Sequence, residues 1–561
     1  MSELNGSRLF LGFLLIWLII NILQAAFTGL DPDEAYYWMY AHQLDWGYFD
    51  HPPAIALLIK LGYALIPNEL GVRLGAIVLQ TLSFYIIWLI LGKPAEKSKI
   101  WTLIALLAAM PMLEVYGFIA TPDAPLLFFS VLFFWLYQRF VAKESWANTL
   151  LLGVCMAALL YSKYHGVILI FFTLLSNLKL LLKPKFFIAS IFGALLFFPH
   201  LYWQFSHDFP SFRYHLVGRD DPYELKHTIT YIVNQLVIFN PFIFPMIVLA
   251  MIRKPIADQL ERAFYVIIFG FWIFFLYTTS KGHVEPQWTN ILSIPFVILT
   301  WRYSVQDANF IFDKWLKRLA FGSLVLLLAA RLALVEGNIF NIKSNFHRSA
   351  WITELQAETQ GLPVVFQNSY RDPSLYAFYT GNQAFTFTDA NYRKNQYDIW
   401  DWEKILHNQR VAIAGQPGWD CKDCKPLDLT RKNFLLKIAD SLQVSQKVHF
   451  EFEAPKMLSP GDTVELDVAI RNPYEHTILL DAGNMPLQVV AIFYTDEQVK
   501  GKSPLRFEQP LMKLPANETT TVKARFEVPA GLKDEYVFAL GIQTGDLPPS
   551  FNSSLSKVII D

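Results

Sequence analysis

Apolar residues fall into two regimes along the chain. Between residues 9 and 335 they form long runs, several near the roughly 20 residues that a membrane-spanning helix needs. From residue 341 onward the apolar runs are short and alternate with polar positions. The first pattern predicts a polytopic α-helical membrane region and the second predicts a soluble C-terminal region. The predicted spans are 9–27, 72–91, 100–119, 125–140, 149–161, 167–182, 186–202, 228–252, 263–279, 288–301 and 319–335.

The C-terminal region changes character once more. Residues 341–445 mix helix-like and strand-like pieces, with 363–367 and 410–414 typical of strands, so we expect a small α/β region there. From 446 to 561, short alternating runs are punctuated by Pro, Gly and Asn, which predicts an immunoglobulin-like antiparallel β-sandwich. With the membrane domain at 1–340, three domains are expected.

Composition agrees with this division. Of the 561 residues, 53% are hydrophobic and 17% are charged, and the mean hydropathy is +0.30. Soluble domains carry about 25% charged residues. The net charge of -1 gives no indication of nucleic-acid binding.

Basic residues predict the topology. With the N-terminus in the cytoplasm, every cytoplasmic loop is basic, as the positive-inside rule requires. An odd number of spans then places the C-terminal region outside, in the periplasm if the membrane is a bacterial inner membrane. The basic residues are Lys93, Lys97, Lys99, Arg139, Lys143, Lys179, Lys183, Lys185, Arg253, Lys254, Arg262, Arg302, Lys314, Lys317 and Arg318.

The three cysteines do not form a disulfide framework. Cys155 lies in an apolar run, where we expect it to be inert. Cys421 and Cys424 form a CxxC for which a local disulfide is the first interpretation and an exposed dithiol the second. Zinc would need further ligands, and no second CxxC or histidine pair follows.

Carboxylates in the outer loops are candidates for proton abstraction. Asp33 and Glu34 follow the first span directly, and a carboxylate held against apolar walls can act as a general base. The alternative is a solvated pair at the membrane surface. Asp123 begins the fourth span, where capping and the helix dipole alone would explain it. Asp33 and Asp123 nevertheless face the same side of the membrane, so we predict a catalytic role for all three.

Two basic pairs lie on the outer side, against the positive-inside bias. Lys163 and His165 stand between two apolar runs, and Lys281 and His283 repeat the arrangement after the ninth span. A lysine near membrane depth is costly unless it is paired or faces a water-filled cavity. The alternative is a lysine that snorkels to the interface. We predict that all four residues bind a donor phosphate.

Two further outer loops contain candidate substrate contacts. In WGYFDHPP, Asp50 and His51 are too few ligands to indicate a metal, so we expect His51 to face an anion. The loop after the seventh span is cationic and aromatic, and it either holds substrate or rims the soluble region. The predicted substrate-loop residues are Tyr36, Asp50, His207, Arg213 and Arg219, with His200 and His215 nearby.

Carboxylates and cations together indicate a reaction class. They suit transfer of a group from a phosphate-linked lipid carrier to a hydroxyl or amine, in which a carboxylate deprotonates the acceptor and cations stabilise the departing phosphate. No Gly-rich nucleotide loop is present, and a lipid donor needs none. The sequence establishes no cofactor, and a divalent metal stays open without support from the residues.

Four segments together resemble a known family. DEAYYWMYAHQLDWGYFDHPP, TPDAPLLFF, YSKYHG and FSHDFPSFRYH look like the bacterial GT-C membrane glycosyltransferases. These are relatives of the dolichyl-phosphate-mannose protein mannosyltransferases and of the ArnT-like aminoarabinose and galacturonic acid transferases that modify lipid A. The resemblance covers about residues 9–301. It implies a GT-C fold for the membrane region, with about eleven transmembrane helices, and the tail beyond residue 341 resembles the family only in being a soluble outer-face domain.

The resemblance also implies a chemistry. It implies a hexosyl- or pentosyltransferase with a polyprenyl-phosphate sugar donor, a lipid, glycan or protein acceptor, and a single inverting displacement. It places the base at Asp33, with Glu34 beside it and Asp123 in support. The aminoarabinose transferases have a phosphate-binding lysine where this chain has His51, which predicts a different donor or a weaker phosphate contact.

Two other classes of protein compete with this interpretation. A flippase for a lipid-linked sugar would explain charges at membrane depth as a substrate path. The polar residues cluster on one face instead of at mid-membrane, which favours the transferase. A membrane-anchored glycan-binding protein would leave the acidic and basic pairs without a role.

Overall fold

The chain divides into two compact units, Met1–His347 and Arg348–Asp561. The structure, a computed structural model, describes residues 2–216, 222–306, 309–335, 346, 350–495 and 498–561. The first unit is helical and the second is rich in strands, so the expected fold class is confirmed. The domain boundary expected at 340 lies outside the described residues.

Helices build the first unit because lipid offers no partners for backbone N–H and C=O groups. Short 3₁₀ turns at Leu178–Leu182, Thr279–Lys281 and Pro286–Leu292 join some of them. The helices are α1 (Ser2–Phe27), α2 (Pro32–His42), α3 (Ala54–Leu65), α4 (Glu69–Ile90), α5 (Lys97–Ala108), α6 (Pro111–Val115), α7 (Asp123–Ala142), α8 (Trp146–Ser162), α9 (His165–Ser176), α10 (Pro184–Ser206), α11 (Pro210–Leu216), α12 (Leu225–Ile238), α13 (Phe244–Arg253), α14 (Gln259–Thr278), α15 (Ser293–Ser304) and α16 (Phe310–Val335).

The chain is a multi-pass membrane protein. Among the described residues, six helices are long and apolar enough to cross a membrane: α1, α4, α7, α10, α14 and α16. Each of the eleven predicted runs falls on one of these, on a shorter helix, or on two consecutive helical segments. The number of crossings stays a prediction.

Two predicted spans are broken helices. The run 100–119 is interrupted at Pro111, which lacks the N–H that a continuous helix needs. The run 228–252 is interrupted at Asn240, whose backbone is left-handed with φ of 66°. The amide of Asn240 donates to the carbonyl of Ala109, at 2.8 Å, and to the Ser323 hydroxyl, at 2.7 Å. The second break therefore supplies a partner for a backbone oxygen that the first break leaves open.

Helices α8 and α10 cross at two glycines. A Cβ on Gly153 would lie 2.6 Å from the Ala189 oxygen, and a Cβ on Gly193 would lie 2.8 Å from the Gly153 oxygen. Small residues let helix backbones approach closely in a membrane, where van der Waals contact drives association. The outer ends of these helices, which carry Lys163 and His200, are held at a short separation in this way.

The second unit begins with an α/β segment. Helices α17 (Ala350–Thr359) and α18 (Arg371–Thr380) accompany a five-stranded sheet of order β2-β1-β3-β5-β4. Strands β2, β1 and β3 run parallel to one another, β5 is antiparallel to β3, and β4 is antiparallel to β5. Cys421 and Cys424, before β4, are joined in a disulfide. The strands are β1 (Val364–Gln367), β2 (Ala384–Phe387), β3 (Val411–Gly415), β4 (Lys425–Leu429) and β5 (Lys432–Ala439).

The remaining strands form the layers of a sandwich, and their pairs are antiparallel except that β7 runs parallel to β17. A sheet of order β11-β10-β15-β17-β7, with β16 beside β15, accompanies a sheet of order β12-β14-β8-β6, and β13 pairs with β9. The Phe526 ring lies 5.5 Å from Phe538 and 6.3 Å from Phe493, so aromatic residues fill the space between the sheets. The strands are β6 (His449–Glu451), β7 (Met457–Leu458), β8 (Thr463–Arg471), β9 (Ile478–Leu479), β10 (Leu487–Thr495), β11 (Gln498–Pro504), β12 (Arg506–Phe507), β13 (Lys513–Leu514), β14 (Thr519–Glu527), β15 (Asp534–Thr544), β16 (Ser550–Phe551) and β17 (Ser556–Ile560).

Candidate active site

Four carboxylates from separate loops, among them the predicted Asp33 and Asp123, interact with one tyrosine. Tyr116, just after α6, interacts electrostatically with Asp123, Asp31, Asp33 and Glu285. Asp33 is half-buried in the first turn of α2. These four carboxylates, which we call the acidic cluster, combine the first, second and last of the outer loops expected to carry chemistry. The cluster is the strongest candidate for a site of proton abstraction.

Asp123 and Lys163 form a buried ion pair at the edge of the acidic cluster. Asp123 is the first residue of α7 and Lys163 is the C-cap of α8. The lysine ammonium lies 2.9 and 2.8 Å from the two carboxylate oxygens. The pair satisfies both charges, as burial at this depth requires. An ammonium has three N–H donors, so one is left for a further acceptor such as a donor phosphate.

Glu34 is committed to Arg73 of α4. The Arg73 Nε lies 2.8 Å from Oε1 and Nη2 lies 2.5 Å from Oε2, and both side chains are fully buried. Oε2 also accepts the Asp31 backbone N–H as part of a capping box, and Oε1 accepts the Ala120 N–H at 2.8 Å. The arrangement assigns Glu34 to holding the loops in place, because both its oxygens already accept hydrogen bonds.

Arg73 was missed by the sequence analysis. Its guanidinium also donates to the backbone oxygens of Ala25, Thr28 and Gly29, at 2.6 to 3.0 Å. It therefore closes the end of α1 as well as binding Glu34. A charged residue inside the apolar run 72–91 is the signal that would have found it, since such a charge needs a partner.

Asp50 and His51 lie against the aromatic face of α2. The Tyr36 and Tyr40 hydroxyls, one helical turn apart, donate to Asp50 Oδ2 at 2.9 and 3.3 Å. Burial raises the pKa of Tyr40 well above its usual value, so this phenol stays protonated and remains a donor. The His51 ring meets the Tyr37 ring edge-on, with centroids 5.7 Å apart. Two of the predicted substrate-loop residues, Tyr36 and Asp50, are thus in contact.

The two basic pairs are linked through the loop that follows α14. His165, at the start of α9, packs its ring 5.7 Å from that of Trp288 in this loop. Lys281 is exposed in the same loop, and His283 lies 4.0 Å from the carboxylate of Glu285, a member of the acidic cluster. His165, Lys281 and His283 are thereby tied to a single loop that reaches the carboxylates.

The loop after α10 forms local contacts. The His207 ring stacks on Trp203 at 4.3 Å, and exposed Arg213 pairs with Asp208. Arg219 lies outside the described residues.

Tyr164, which the sequence analysis also missed, joins this loop to the first outer loop. Its hydroxyl lies 3.0 Å from His200 Nε2, and His200 Nδ1 lies 2.7 Å from the carbonyl oxygen of Trp46. Because a carbonyl only accepts, Nδ1 carries the proton and Nε2 accepts from the phenol. The neutral His200 ring thus links Tyr164, which lies between α8 and α9, to Trp46 in the loop after α2. In the described ranges, no group of three or more His, Cys, Asp or Glu is placed to hold a metal ion.

Comparison with known proteins gives a consistent result for the membrane region. The family model for dolichyl-phosphate-mannose-protein mannosyltransferase matches residues 50–203. The lipid A galacturonosyltransferase RgtD of Rhizobium johnstonii is 27% identical over 229 residues, which are 38% of this chain. The match spans 46% of that relative, less than half of its length.

Solved structures show the same fold. ArnT from Cupriavidus metallidurans in the apo state superposes with a TM-score of 0.57 at 12% identity, over 76% of this chain and 97% of that one. The same protein bound to undecaprenyl phosphate gives 0.57 at 14% identity, over 77% and 98% of the two chains. At such identities these structures establish the fold alone. The chain therefore has a fold of the ArnT type, and its membrane region is similar in sequence to the mannosyltransferase family model and to the galacturonosyltransferase.

Proposed function

We propose that this protein transfers a sugar from a polyprenyl-phosphate donor to a lipid, glycan or protein acceptor at the outer face of the bacterial inner membrane. One observation carries the proposal: half-buried Asp33 and the lysine-paired Asp123 both interact electrostatically with Tyr116. A proton acceptor near a cation is the combination that transfer from a phosphate carrier requires. The undecaprenyl phosphate bound to the ArnT neighbour supports a donor of this class.

In the proposed reaction, Asp33 removes the proton from an acceptor hydroxyl or amine. The acceptor atom then attacks the anomeric carbon of the sugar from the side opposite the phosphate. The bond between that carbon and the phosphate oxygen breaks as the new bond forms, so the configuration inverts. The electron pair leaves with the polyprenyl phosphate, and the proton stays on Asp33 until solvent removes it.

Cations neutralise the phosphate as it leaves, when its negative charge increases. We assign this role to Lys163, through its remaining N–H donor, and to exposed Lys281. His51, His165 and His283 complete the proposed phosphate set. Asp123 holds the Lys163 ammonium in place, and Glu34 holds the loops through Arg73.

We further propose that the second unit is periplasmic. The basic loops place the N-terminus in the cytoplasm, and the six long helices with the shorter ones between them fit eleven crossings. An odd number leaves the C-terminus on the opposite side, where the substrate loops also lie.

The proposal is tested by sugar transfer with purified full-length protein. Labelled polyprenyl-phosphate sugars extracted from membranes serve as donors, and wild type is compared with Asp33→Asn. We expect a loss of about 10² to 10⁴-fold in rate, the usual contribution of a general base. Glu69→Gln is the matched control, because Glu69 is a half-buried carboxylate in the first turn of α4 and is not among the predicted site residues.

Each outcome has a distinct meaning. Loss in Asp33→Asn alone supports the transferase and its base, and the chemistry of the labelled product identifies the acceptor. Equal transfer in wild type and Asp33→Asn rules out Asp33 as the base. Folded wild-type protein that transfers nothing from a competent lipid pool contradicts the proposal and favours a flippase.

A further inference from the structure

A further buried ion pair lies in the membrane unit, outside the residues assigned above. Arg331 of α16 pairs through Nη1 with Glu114 of α6, and both side chains are almost completely buried. Charged residues inside a membrane protein are costly and commonly serve function. The two residues are 217 positions apart, so the pair joins α16, the last described helix of the unit, to α6, which precedes the loop that carries Asp123.

The guanidinium of Arg331 also binds α1. Its Nη2 donates to Asn21 Oδ1 at 2.6 Å and its Nε to Gln24 Oε1 at 3.4 Å. The Gln24 amide donates back to the Arg331 carbonyl at 3.2 Å. Glu114 is thus held by an arginine that is itself fixed between α1 and α16.

The chain that follows Glu114 is held at two further points. The ring of Phe118 lies between two guanidinium groups, 5.2 Å from Arg331 and 5.8 Å from Arg73. Two residues later, the Ala120 N–H donates to Glu34, which Arg73 also binds. Residues 114–120, which we call the clamped segment, are therefore fixed at one end by Arg331 and at the other by Glu34, which Arg73 binds.

The clamped segment carries Tyr116 into the acidic cluster and leads to Asp123. Gly117 follows Tyr116, and a Cβ there would lie 2.6 Å from Gln80 Oε1 and 2.8 Å from Asn21 Oδ1. The backbone is thus pressed against α4 and α1 at the residue next to the tyrosine. A shift of Glu114 would move Tyr116, and with it the spacing of Asp33 and Asp123.

We propose that Arg331 and Glu114 are positioning residues for the transfer reaction. The pair holds the clamped segment so that Asp33 and Asp123 keep their separation around Tyr116. A buried ion pair is often no more stable than apolar residues of the same size, so its value here is the geometry that it specifies. The proposal rests on the proposed function for its effect on turnover, but not for its effect on the segment.

The first test separates rate from binding. Glu114→Gln keeps the side-chain shape and removes the charge, and Arg331→Lys keeps the charge and removes the planar fork. We expect kcat to fall about 10²-fold, the usual cost of misplacing reacting groups by about 1 Å, with the donor KM almost unchanged. Glu261→Gln is the matched control. Glu261 is equally buried in an ion pair, with Lys254 at 2.6 Å, but its other partners are Arg302 and the Ala257 N–H, which lie outside the clamped segment.

The second test does not need transfer activity. The rate of amide hydrogen exchange in residues 114–120 is expected to rise in Glu114→Gln and Arg331→Lys, which we call the clamp variants. In Glu261→Gln it should stay at the wild-type level. Unchanged exchange in folded clamp variants, or an equal rise in the control, would overturn the proposal. Equal loss of kcat in the control would also overturn it. If wild type transfers no sugar, the proposed function fails while the exchange result still decides whether the pair holds the segment.

Discussion

The ammonium of Lys163 lies within 2.9 Å of both carboxylate oxygens of Asp123, forty residues earlier in the chain. This contact joins the start of α7 to the end of α8 at the outer face of the membrane unit. Both side chains are buried, so the pair contributes to the fold as well as to the charge distribution of the acidic cluster.

Removing one member of this pair is expected to destabilise the protein. Lys163→Met leaves the Asp123 charge buried without its partner, which costs about 3–5 kcal/mol. The double variant Lys163→Met, Asp123→Asn leaves no buried charge, so part of the loss should return. Thermal unfolding of detergent-purified protein measures the stability of the double variant and of the single variants Lys163→Met and Asp123→Asn. If the loss in the double variant equals the sum of the two single-variant losses, the two residues do not interact.

Asp33 and Glu34 are adjacent but should respond differently to removal of their charges. Glu34→Gln leaves the buried guanidinium of Arg73 uncompensated, and we expect a loss of about 3–5 kcal/mol in unfolding free energy. Asp33 is only half-buried, so Asp33→Asn should cost less unfolding free energy than Glu34→Gln. Paired measurements of melting temperature and transfer rate check this. A large stability loss in Asp33→Asn would give that residue a structural role.

Two glycines should tolerate substitution to different degrees. Gly153→Ala places a methyl group 2.6 Å from the Ala189 oxygen and should cost about 1–3 kcal/mol as α8 and α10 separate. Gly322→Ala, on α16, meets nothing within 4 Å and should stabilise the helix by about 0.5–1 kcal/mol. Melting temperatures of the two variants are expected to shift in opposite directions. Equal shifts would contradict the tight crossing of α8 and α10.

Stability of the second unit should depend on pH through a stacked histidine pair. The rings of His407 and His476 lie 3.5 Å apart. Burial, and then the charge of His476, lower the pKa of His407 from 6.5 to about 4, and burial also lowers the pKa of His476. The folded state therefore binds fewer protons than the unfolded chain between these values, so stability is lost as pH falls from about 6.5 to about 4.

A single variant isolates this effect. Burial raises the pKa of nearby Glu403, which acts with the opposite sign, so wild type alone mixes the two contributions. His407→Phe keeps the stacking and removes one titrating ring. The melting temperature of full-length wild type relative to this variant should drop between pH 7.5 and pH 5. A difference that is independent of pH would contradict the role of the histidines.

The helical architecture was predictable because a long apolar run specifies a membrane helix without reference to any partner. The break at Pro111 follows from a local rule, since proline cannot continue a helix hydrogen bond. The break at Asn240 could not be predicted in the same way. It depends on the Ala109 carbonyl, 131 positions away, which accepts the asparagine amide.

The candidate site was predictable in composition but not in pairing. The sequence indicates that Asp33, Asp123 and Lys163 share one side of the membrane, and that a buried lysine needs a counter-charge. It does not indicate which carboxylate provides that charge, because Asp123 and Glu34 are both carboxylates predicted on the same side of the membrane. Tertiary packing assigns Lys163 to one and Arg73 to the other. Tyr116 carries no local signal at all.

The four hydrogen bonds that end on Glu34 have a consequence for how its neighbour is aimed. Successive residues of an α-helix point about 100° apart around its axis. Because Glu34 is fixed on Arg73, the orientation of Asp33 around the axis of α2 is also fixed. A single-residue insertion between them would change the capping-box spacing, leave the Glu34–Arg73 pair in place, and rotate the Asp33 carboxylate out of the cluster. Substitutions at many nearby positions should therefore preserve transfer activity, whereas a change of one residue in the length of this segment should abolish it.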